Sequence, residues 1–353
     1  MDKVLIKDIA EVVNGSTPST KENSYWDGDI PWITPKDLSA FSGRYISSGE
    51  RNITKEGYQS CSTTLVPKNT ILLTSRAPIG YLAVAKNDLC TNQGFKSLIC
   101  NQSKILPLYM FYWLSTKIEF LKSISGGATF KELSKTSLEN VVMDLPNIVQ
   151  QQHIVDTIGS IDSLIENYEE RISFLQKISS YLYLQLIEHS RKTSYLGNFI
   201  KIETGSMNLD ENNPNGRYPF YTRNIGTFYS NKYTNEGKGA VVAGEGNFTP
   251  KFVNGKFGLH QKAYFIQPNT TKLGPEVIYE IILSNKKYLE SVAVGSTVKS
   301  LRRFCFEQMP FFIDADYFCL NQILEMLFGE IENLKKRKNI LLNQKRILLN
   351  KYF

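Results

Sequence analysis

The sequence states nearly the same thing twice, and that duplication limits the folds open to it. Gly15-Ser16 recurs as Gly205-Ser206 at a spacing of 190, and Gly28-Asp29-Ile30-Pro31-Trp32-Ile33-Thr34 recurs as Gly216-Arg217-Tyr218-Pro219-Phe220-Tyr221-Thr222 at 188. Asn92-Gln93 finds His260-Gln261 at 168, and Gly127-Ala128-Thr129-Phe130-Lys131-Glu132-Leu133 finds Gly295-Ser296-Thr297-Val298-Lys299-Ser300-Leu301 at the same 168. Ile158-Gly159-Ser160-Ile161-Asp162 finds Phe328-Gly329-Glu330-Ile331-Glu332 at 170. The drop from 188 to 168 places about 20 extra residues of the first copy between Thr34 and Asn92. A period this long is a domain duplication rather than a solenoid. Two similar halves can build a pseudo-two-fold particle suited to a two-part ligand.

Length fits this reading: 353 residues make two domains plus connections. A hydrophobic fraction of 42% supplies real cores. No run approaches the roughly 18 apolar residues of a membrane helix, and Met1-Asp2-Lys3-Val4-Leu5-Ile6-Lys7 carries charges where a signal peptide needs an apolar stretch. The five cysteines (Cys61, Cys90, Cys100, Cys305, Cys319) lack paired spacing, as scattered buried thiols in a reducing cytoplasm would. The expected location is cytoplasmic, without a membrane partner and without a metal site. Net charge is +7, and residues 194–312 carry the largest share, +5. That segment is a candidate for contact with polyanions, although such a charge is also ordinary for a soluble domain.

Each copy reads as a mixed, β-rich globular part followed by a long helix. Short apolar runs such as Thr70–Thr74 and Gly239–Ala243 are bounded by turn residues. Tyr109–Leu114 and Val277–Leu283 read as buried helices, each opening after a proline, Pro107 or Pro275. The expected boundaries are 1–146 and 194–312 for the globular parts, with helices over 147–193 and 313–353.

On the first helix Ile154, Ile161, Tyr168, Leu175 and Leu182 fall at steps of seven, partnered by Ile158, Ile165, Ile172 and Leu186, with Ser179 the one polar member. On the second helix Leu320, Leu327, Leu334, Leu341 and Leu348 repeat the pattern, with Ile331 alongside. Lys338 and Lys345 dilute this second seam, while Ile340 and Ile347 widen it. Sustained apolar heptads predict a coiled coil, and burying both stripes against each other predicts an antiparallel pair that keeps the globular parts at opposite ends. Roughly 40 residues give a rod of ~60 Å.

No catalytic box is complete. Asn212-Asn213-Pro214-Asn215-Gly216 lacks the second proline and the aromatic of an amino-methyltransferase motif and reads as a turn. Gly244-Glu245-Gly246-Asn247 lacks the third glycine of a nucleotide loop. The repeated polar loops are better candidates, for binding rather than chemistry. In copy one they hold Arg76, Asn92, Gln93 and Lys96; in copy two, Arg223, Glu245, Asn247, Lys251, His260, Gln261 and Lys262. Arg and Lys suit guanine edges, Asn and Gln suit adenine, and Glu245 can accept from a cytosine amino group. The plainer alternative is that Asn and Gln cap turns and Arg76 is a solvated surface residue. Arg76, Asn92 and Gln93 are expected to stand in register with Gly244, His260 and Gln261, so the halves would read different bases. A second repeated loop holds Thr129, Lys131 and Lys135, then Thr297, Lys299, Arg302 and Arg303. Hydroxyls with Lys and Arg suit phosphate, although a solvated helix start explains them equally well. Trp26, Trp32 and Phe220 are expected in the core.

The whole chain resembles the specificity subunits of type I restriction–modification systems. The residues carrying the resemblance are Ile6–Pro18, Trp26–Ile33, Val66–Gly80, Thr91–Phe95, Leu145-Pro146 and Gln150-Gln151-Gln152 with the helix that follows. Copy two departs where Asp314-Ala315-Asp316-Tyr317 replaces the proline- and glutamine-rich entry to the helix. The resemblance implies an α+β fold: two similar mixed, β-rich target recognition domains separated by an antiparallel coiled coil of two long helices, with a pseudo-two-fold from internal duplication. Each domain would read one half of an asymmetric bipartite site on double-stranded DNA. The helices would set the gap and dock two methyltransferase (M) subunits. Restriction (R) subunits would join them, and S-adenosylmethionine, ATP and Mg would reside on these partners, leaving this chain without chemistry of its own. The competing readings are a free-standing methyltransferase or nuclease, opposed by the missing catalytic boxes, and a coiled-coil scaffold, opposed by the paired polar loops.

Overall fold

A computed structural model describes residues 2–39, 41–127, 131–224 and 226–353. The chain divides into two compact units, residues 1–167 with 338–353, and residues 168–337. Among the described residues no helix is long and apolar enough to cross a membrane.

In the first unit a five-stranded sheet runs, in spatial order, Ala10–Asn14, Phe95–Cys100, Ile71–Ser75, Ile79–Ala85 and Tyr45–Ile46. Successive strand residues point to opposite faces, so Ile71 and Leu73 enter one core while Leu72 enters another. The first core also receives the helix Pro107–Thr116, opened by Pro107, which loses no hydrogen bond at a helix start. A three-stranded sheet of Arg51–Ile53, Trp26–Ile33 and Cys90–Thr91 buries Trp26 against Trp32, edge to face at 5.1 Å.

The second unit holds a six-stranded sheet, Ile200–Thr204, Ala263–Pro268, Asn235–Ala243, Lys251–Leu259, Tyr218–Tyr221 and Phe228–Ser230. Ala240 and Val242 face a core shared with the helix Pro275–Ser284, and Val241 faces a smaller cluster behind. Phe220 is fully buried, as expected.

The strand registers repeat as the sequence does. Trp32 pairs Cys90 and Ile33 pairs Thr91, in parallel; Phe220 pairs Gly258 and Tyr221 pairs Leu259, also in parallel. Each copy closes on itself by pairing its first strand with its last, Asp2–Leu5 with Val142–Leu145 and Thr193–Tyr195 with Pro310–Phe312. Gly15 and Gly205 sit where a Cβ would lie 2.1 Å from the Asn92 carbonyl oxygen and 2.2 Å from the Leu259 carbonyl oxygen. Only glycine fits there, which explains why Gly-Ser survives in both copies.

The extra residues of the first copy are spread out. The offset between copies is 188 at Trp32/Phe220, 177 at their antiparallel partners Arg51/Phe228, 169 at Ile71/Ala240 and 168 at Val84/Phe252. The first step adds Tyr45–Ile46 to the sheet edge, the second adds the short helix Lys55–Gln59, and the last is a bulge in the Ile71–Ala85 hairpin.

The long helices are Ile148–Glu188 and Tyr317–Tyr352. Gln151, fully buried, stitches the first helix to the preceding turn: its side chain donates to Lys104 O and Pro146 O and accepts from Leu106 N, each at 2.9 Å. Copy two lacks that glutamine-rich entry, yet Asn321 makes the equivalent bonds to Gly274 N (2.7 Å) and Lys272 O (3.0 Å).

The helices run antiparallel within each unit. In the first, His153 meets Tyr352 and Asp162 meets Lys345. In the second, Ile172, Tyr168 and Leu175 pack with Ile331 and Leu334. The stripe is nevertheless not one continuous seam. Ile154 and Ile158, with Val155, pack into the first domain's core, which Leu348 also joins. Leu320 with Leu324 and Phe328 packs into the second domain's core, with Leu182, Leu186 and Leu327 at its edge. Ile161 and Leu341 are half-buried and Ile165 is buried. Ile340 and Ile347 do not widen the seam; both face solvent, 58% and 63% exposed. Lys345 keeps its place by pairing with buried Asp162 at 2.7 Å, so an ion pair replaces an apolar contact. The cysteines are free thiols, but Cys319 is exposed, so not all five are buried.

Candidate nucleic-acid interface

In the first unit the strand Ile71–Ser75 delivers Arg76 to the sheet end, and Phe95–Cys100 delivers Lys96 beside it. Between them stands Glu132, 3.6 Å from Arg76 and 3.5 Å from Lys96. The backbone fixes Glu132, because Gly126 and Glu132 bond reciprocally and Leu133 N donates to Ser75 O at 2.9 Å. Arg76 and Glu132 are half-exposed and Lys96 is buried. Asn92 folds back, its side-chain oxygen accepting from Gly94 N at 2.9 Å, so it builds the turn. Gln93 is exposed and accepts a hydrogen bond from the Thr17 hydroxyl. Thr129 lies outside the described residues; Lys131 is exposed.

In the second unit Glu245 takes the central place, 2.8 Å from Lys262 and 3.5 Å from Arg223. The Lys262 ammonium, first, and the Arg223 guanidinium hold its carboxyl below the usual range. His260 mirrors Asn92: its Nδ1 accepts from Lys262 N at 3.0 Å, which places the ring proton on Nε2. Burial, then the neighbouring cations, keep this imidazole's pKa low. Gln261 is exposed at the position equivalent to Gln93. Asn247 turns its oxygen onto Thr249 N at 2.8 Å. Lys251 bends inward, donating to Asn224 O and Gly226 O at 3.0 and 2.9 Å, and burial lowers its pKa.

These contacts correct the expected register. Ser75 N donates to Gly94 O and its carbonyl accepts from Leu133 N; Gly244 makes the same bonds with Lys262 O and Leu301 N. Gly244 therefore matches Ser75, and the position of Arg76 is held by Glu245. The one-residue bulge in the first hairpin causes the slip. Asn92 and Gln93 do match His260 and Gln261.

The second basic loop divides. Thr297, Lys299, Arg302 and Arg303 are exposed. Lys299 donates to Glu290 O at 2.9 Å. Lys135 and Arg303 occupy equivalent helix starts, each paired with an acid one turn on, Glu139 at 3.6 Å and Glu307 at 2.7 Å. Both stand at the start of a short helix, and their pairs remain open to solvent.

Sequence reasoning missed two residues. Glu132 sits among lysines and looks like an ordinary helix-entry acid; its signal is the change to Ser300 in the other copy. Arg44 belongs to the insertion and has no repeat to mark it. Its guanidinium grips Glu166 with two bonds of 2.8 Å and reaches Ser163 Oγ at 3.1 Å. Beside it the Tyr112 hydroxyl donates to Asp162 at 2.8 Å.

A duplicated α+β scaffold with polar loops at equivalent strand ends matches one family model, the type I restriction modification DNA specificity domain, over residues 1–177 and 188–313. The chain belongs to this family. It is 51% identical over 180 residues to the type I restriction enzyme MjaIX specificity subunit of Methanocaldococcus jannaschii, covering 50% of this chain and 41% of the relative. It is 30% identical over 171 residues to the EcoR124I/EcoR124II specificity subunit of Escherichia coli, covering 46% and 41%. The matched stretch thus spans about two-fifths of either relative. In fold, the chain is similar to the crystal structure of a type I restriction-modification S subunit from M. genitalium, at a TM-score of 0.61 and 15% identity over 100% of this chain and 96% of that one.

Proposed function

We propose that this chain is the DNA sequence-recognition subunit of a type I restriction–modification complex. One observation carries the reading: the same scaffold occurs twice with matching strand registers, while the strand-end position of Arg76 is taken by Glu245 in the second copy and that of Glu132 by Ser300. Base edges differ by their donor and acceptor patterns, so such a pair suits a bipartite site with unlike halves. Residues 1–146 and 194–312 serve as the recognition domains and the helices over 147–193 and 313–353 as spacer. Arg76, Gln93, Arg223, Gln261 and Lys262 are the exposed base-reading candidates; Lys131, Lys299 and Arg302 are the phosphate candidates. Asn92, Asn247, His260 and Lys251 support the loops.

In this reading the chain works without chemistry of its own in the cytoplasm. It docks two methyltransferase subunits, which carry S-adenosylmethionine, and restriction subunits, which use ATP and Mg. The test is to co-express the chain with a methyltransferase subunit and select binding sites from randomised DNA. Two short specified half-sites of different sequence, at a fixed gap, are expected. A palindromic site, unselective binding, or methyl transfer by the chain alone would overturn the proposal.

A further inference from the structure

The charged clusters of the two copies are built in opposite ways. In the second, the carboxylate lies beneath: Glu245 is 20% exposed, and its cations Arg223 and Lys262 are 47% and 48% exposed. In the first, the buried partner is the cation Lys96, at 9%, and the exposed surface holds one donor beside one acceptor, Arg76 at 40% and Glu132 at 42%. The backbone bridge that spans these positions joins Glu245 to Ser300 in copy two. Ser300 has no charge to offer, so the exposed Arg76–Glu132 ion pair has no counterpart at these two positions of copy two.

A cleft of about 650 Å³ opens at this pair, lined by Arg76, Glu132, Lys131 and the Lys122–Glu119 ion pair among others. A guanidinium matches the N7 and O6 acceptors of guanine, and a carboxylate accepts from the N4 amino group of cytosine. In a G·C pair those groups lie side by side on the major-groove edge. We propose that Arg76 and Glu132 together read a single G·C base pair, with Arg76 on guanine and Glu132 on cytosine. Lys96 lies beneath, 3.5 Å from one Glu132 oxygen, and the exposed Lys131 lines the cleft where a phosphate would pass, while Lys122 is paired with Glu119 at 2.7 Å. Glu132 is then a specificity-determining residue of one half-site. In copy two the exposed donors Arg223 and Lys262 face acceptor edges only. This inference rests on the DNA-recognition reading above.

The test uses the full chain co-expressed with a methyltransferase subunit, with base preference at every position read from selected DNA. The double variant R76E/E132R keeps an ion pair but reverses the order of donor and acceptor. It is expected to lose the G·C preference at one position of one half-site by about tenfold or more. All positions of the other half-site should stay as in the wild type, which serves as the folding control. Glu132→Gln, nearly the same size, should weaken the preference at that position alone and carries the test if the double variant does not fold. An unchanged preference in both variants shows the pair to be structural and overturns the inference. A wild-type complex that selects no sequence overturns the recognition reading, and the inference with it.

Discussion

The two domains grip their helices differently, and the difference shows how a duplication keeps its frame while changing its fastenings. In the first, Tyr112 on the Pro107–Thr116 helix meets Asp162, which also pairs with Lys345, while Arg44 clamps Glu166. In the second, the residue equivalent to Tyr112 is Glu280, which is buried and accepts from the Ser179 and Ser180 hydroxyls. Nearby, Lys238 pairs with buried Glu276 at 2.6 Å. Both domains use charge, but at the place of the first domain's Tyr112–Asp162 contact the second has a buried carboxyl among hydroxyls, and its ion pairs run instead from Lys238 to Glu276 and, at 3.7 Å, to Glu325. Strand registers, which set the fold, were retained; the polar fastenings, each needing only its local partners satisfied, were free to change.

Removing the centre of the first network should have the largest effect. Asp162→Ala leaves Tyr112, Arg44 and Lys345 without their shared partner in a buried place and should cost about 3–5 kcal/mol in urea unfolding. Its repeat counterpart Glu332 is bonded to Asn254 at 2.9 Å in a half-buried site, so Glu332→Ala should cost about 0.5–1.5 kcal/mol. Equal losses would break the comparison. Where the copies agree, they should respond alike. Gly15→Ala and Gly205→Ala both drive a Cβ into backbone carbonyls, and each should cost about 1–3 kcal/mol.

Acid titration sharpens the contrast. Burial raises the Glu280 carboxyl above its ordinary 4.5, outweighing the serine hydrogen bonds. The folded state then holds this proton more tightly than the unfolded chain, so its contribution to stability falls as pH rises from about 4.5 through the raised pKa. Glu166 behaves oppositely. The Arg44 hydrogen bonds lower its pKa, so its contribution is present above about 4.5 and lost as pH falls below it. Glu280→Gln should flatten the first slope and Glu166→Gln the second, measured as unfolding midpoints across pH. If Glu280→Gln leaves the slope unchanged, the carboxyl is not the titrating group. The smallest effect is expected at Arg171–Glu330, an exposed pair at 3.2 Å; Arg171→Ala should change stability by about 0–1 kcal/mol.

The duplication, the proline-opened helices and the heptad stripes were legible because each rests on local, repeated chemistry. The core aromatics Trp26, Trp32 and Phe220 were legible too, whereas the close backbone approach at Gly15 and Gly205 emerged only from the fold. What failed to show depended on long-range pairing. Lys345 looked like a flaw in a seam until Asp162 supplied its partner. A one-residue bulge hid the match of Arg76 with Glu245, since sequence spacing averages over where a bulge falls. Asn92 and His260, candidates for reading bases, share a turn-building bond that the sequence did not show and that either residue type can make. Arg44 and Glu132 carried no pattern of their own.

The first compact unit is discontinuous, and that has a consequence for synthesis. Leu348, Leu349, Tyr352 and Phe353 cover part of its core, and Lys117 donates to the Phe353 carbonyl oxygen at 2.9 Å. Residues 168–337 leave the ribosome between the two parts. At roughly 5–20 residues per second the wait is on the order of ten to thirty seconds. Throughout it, the nascent first domain shows the apolar patch that its last helix turns will cover. Until those turns are made, that patch is the part of the first domain open to another chain.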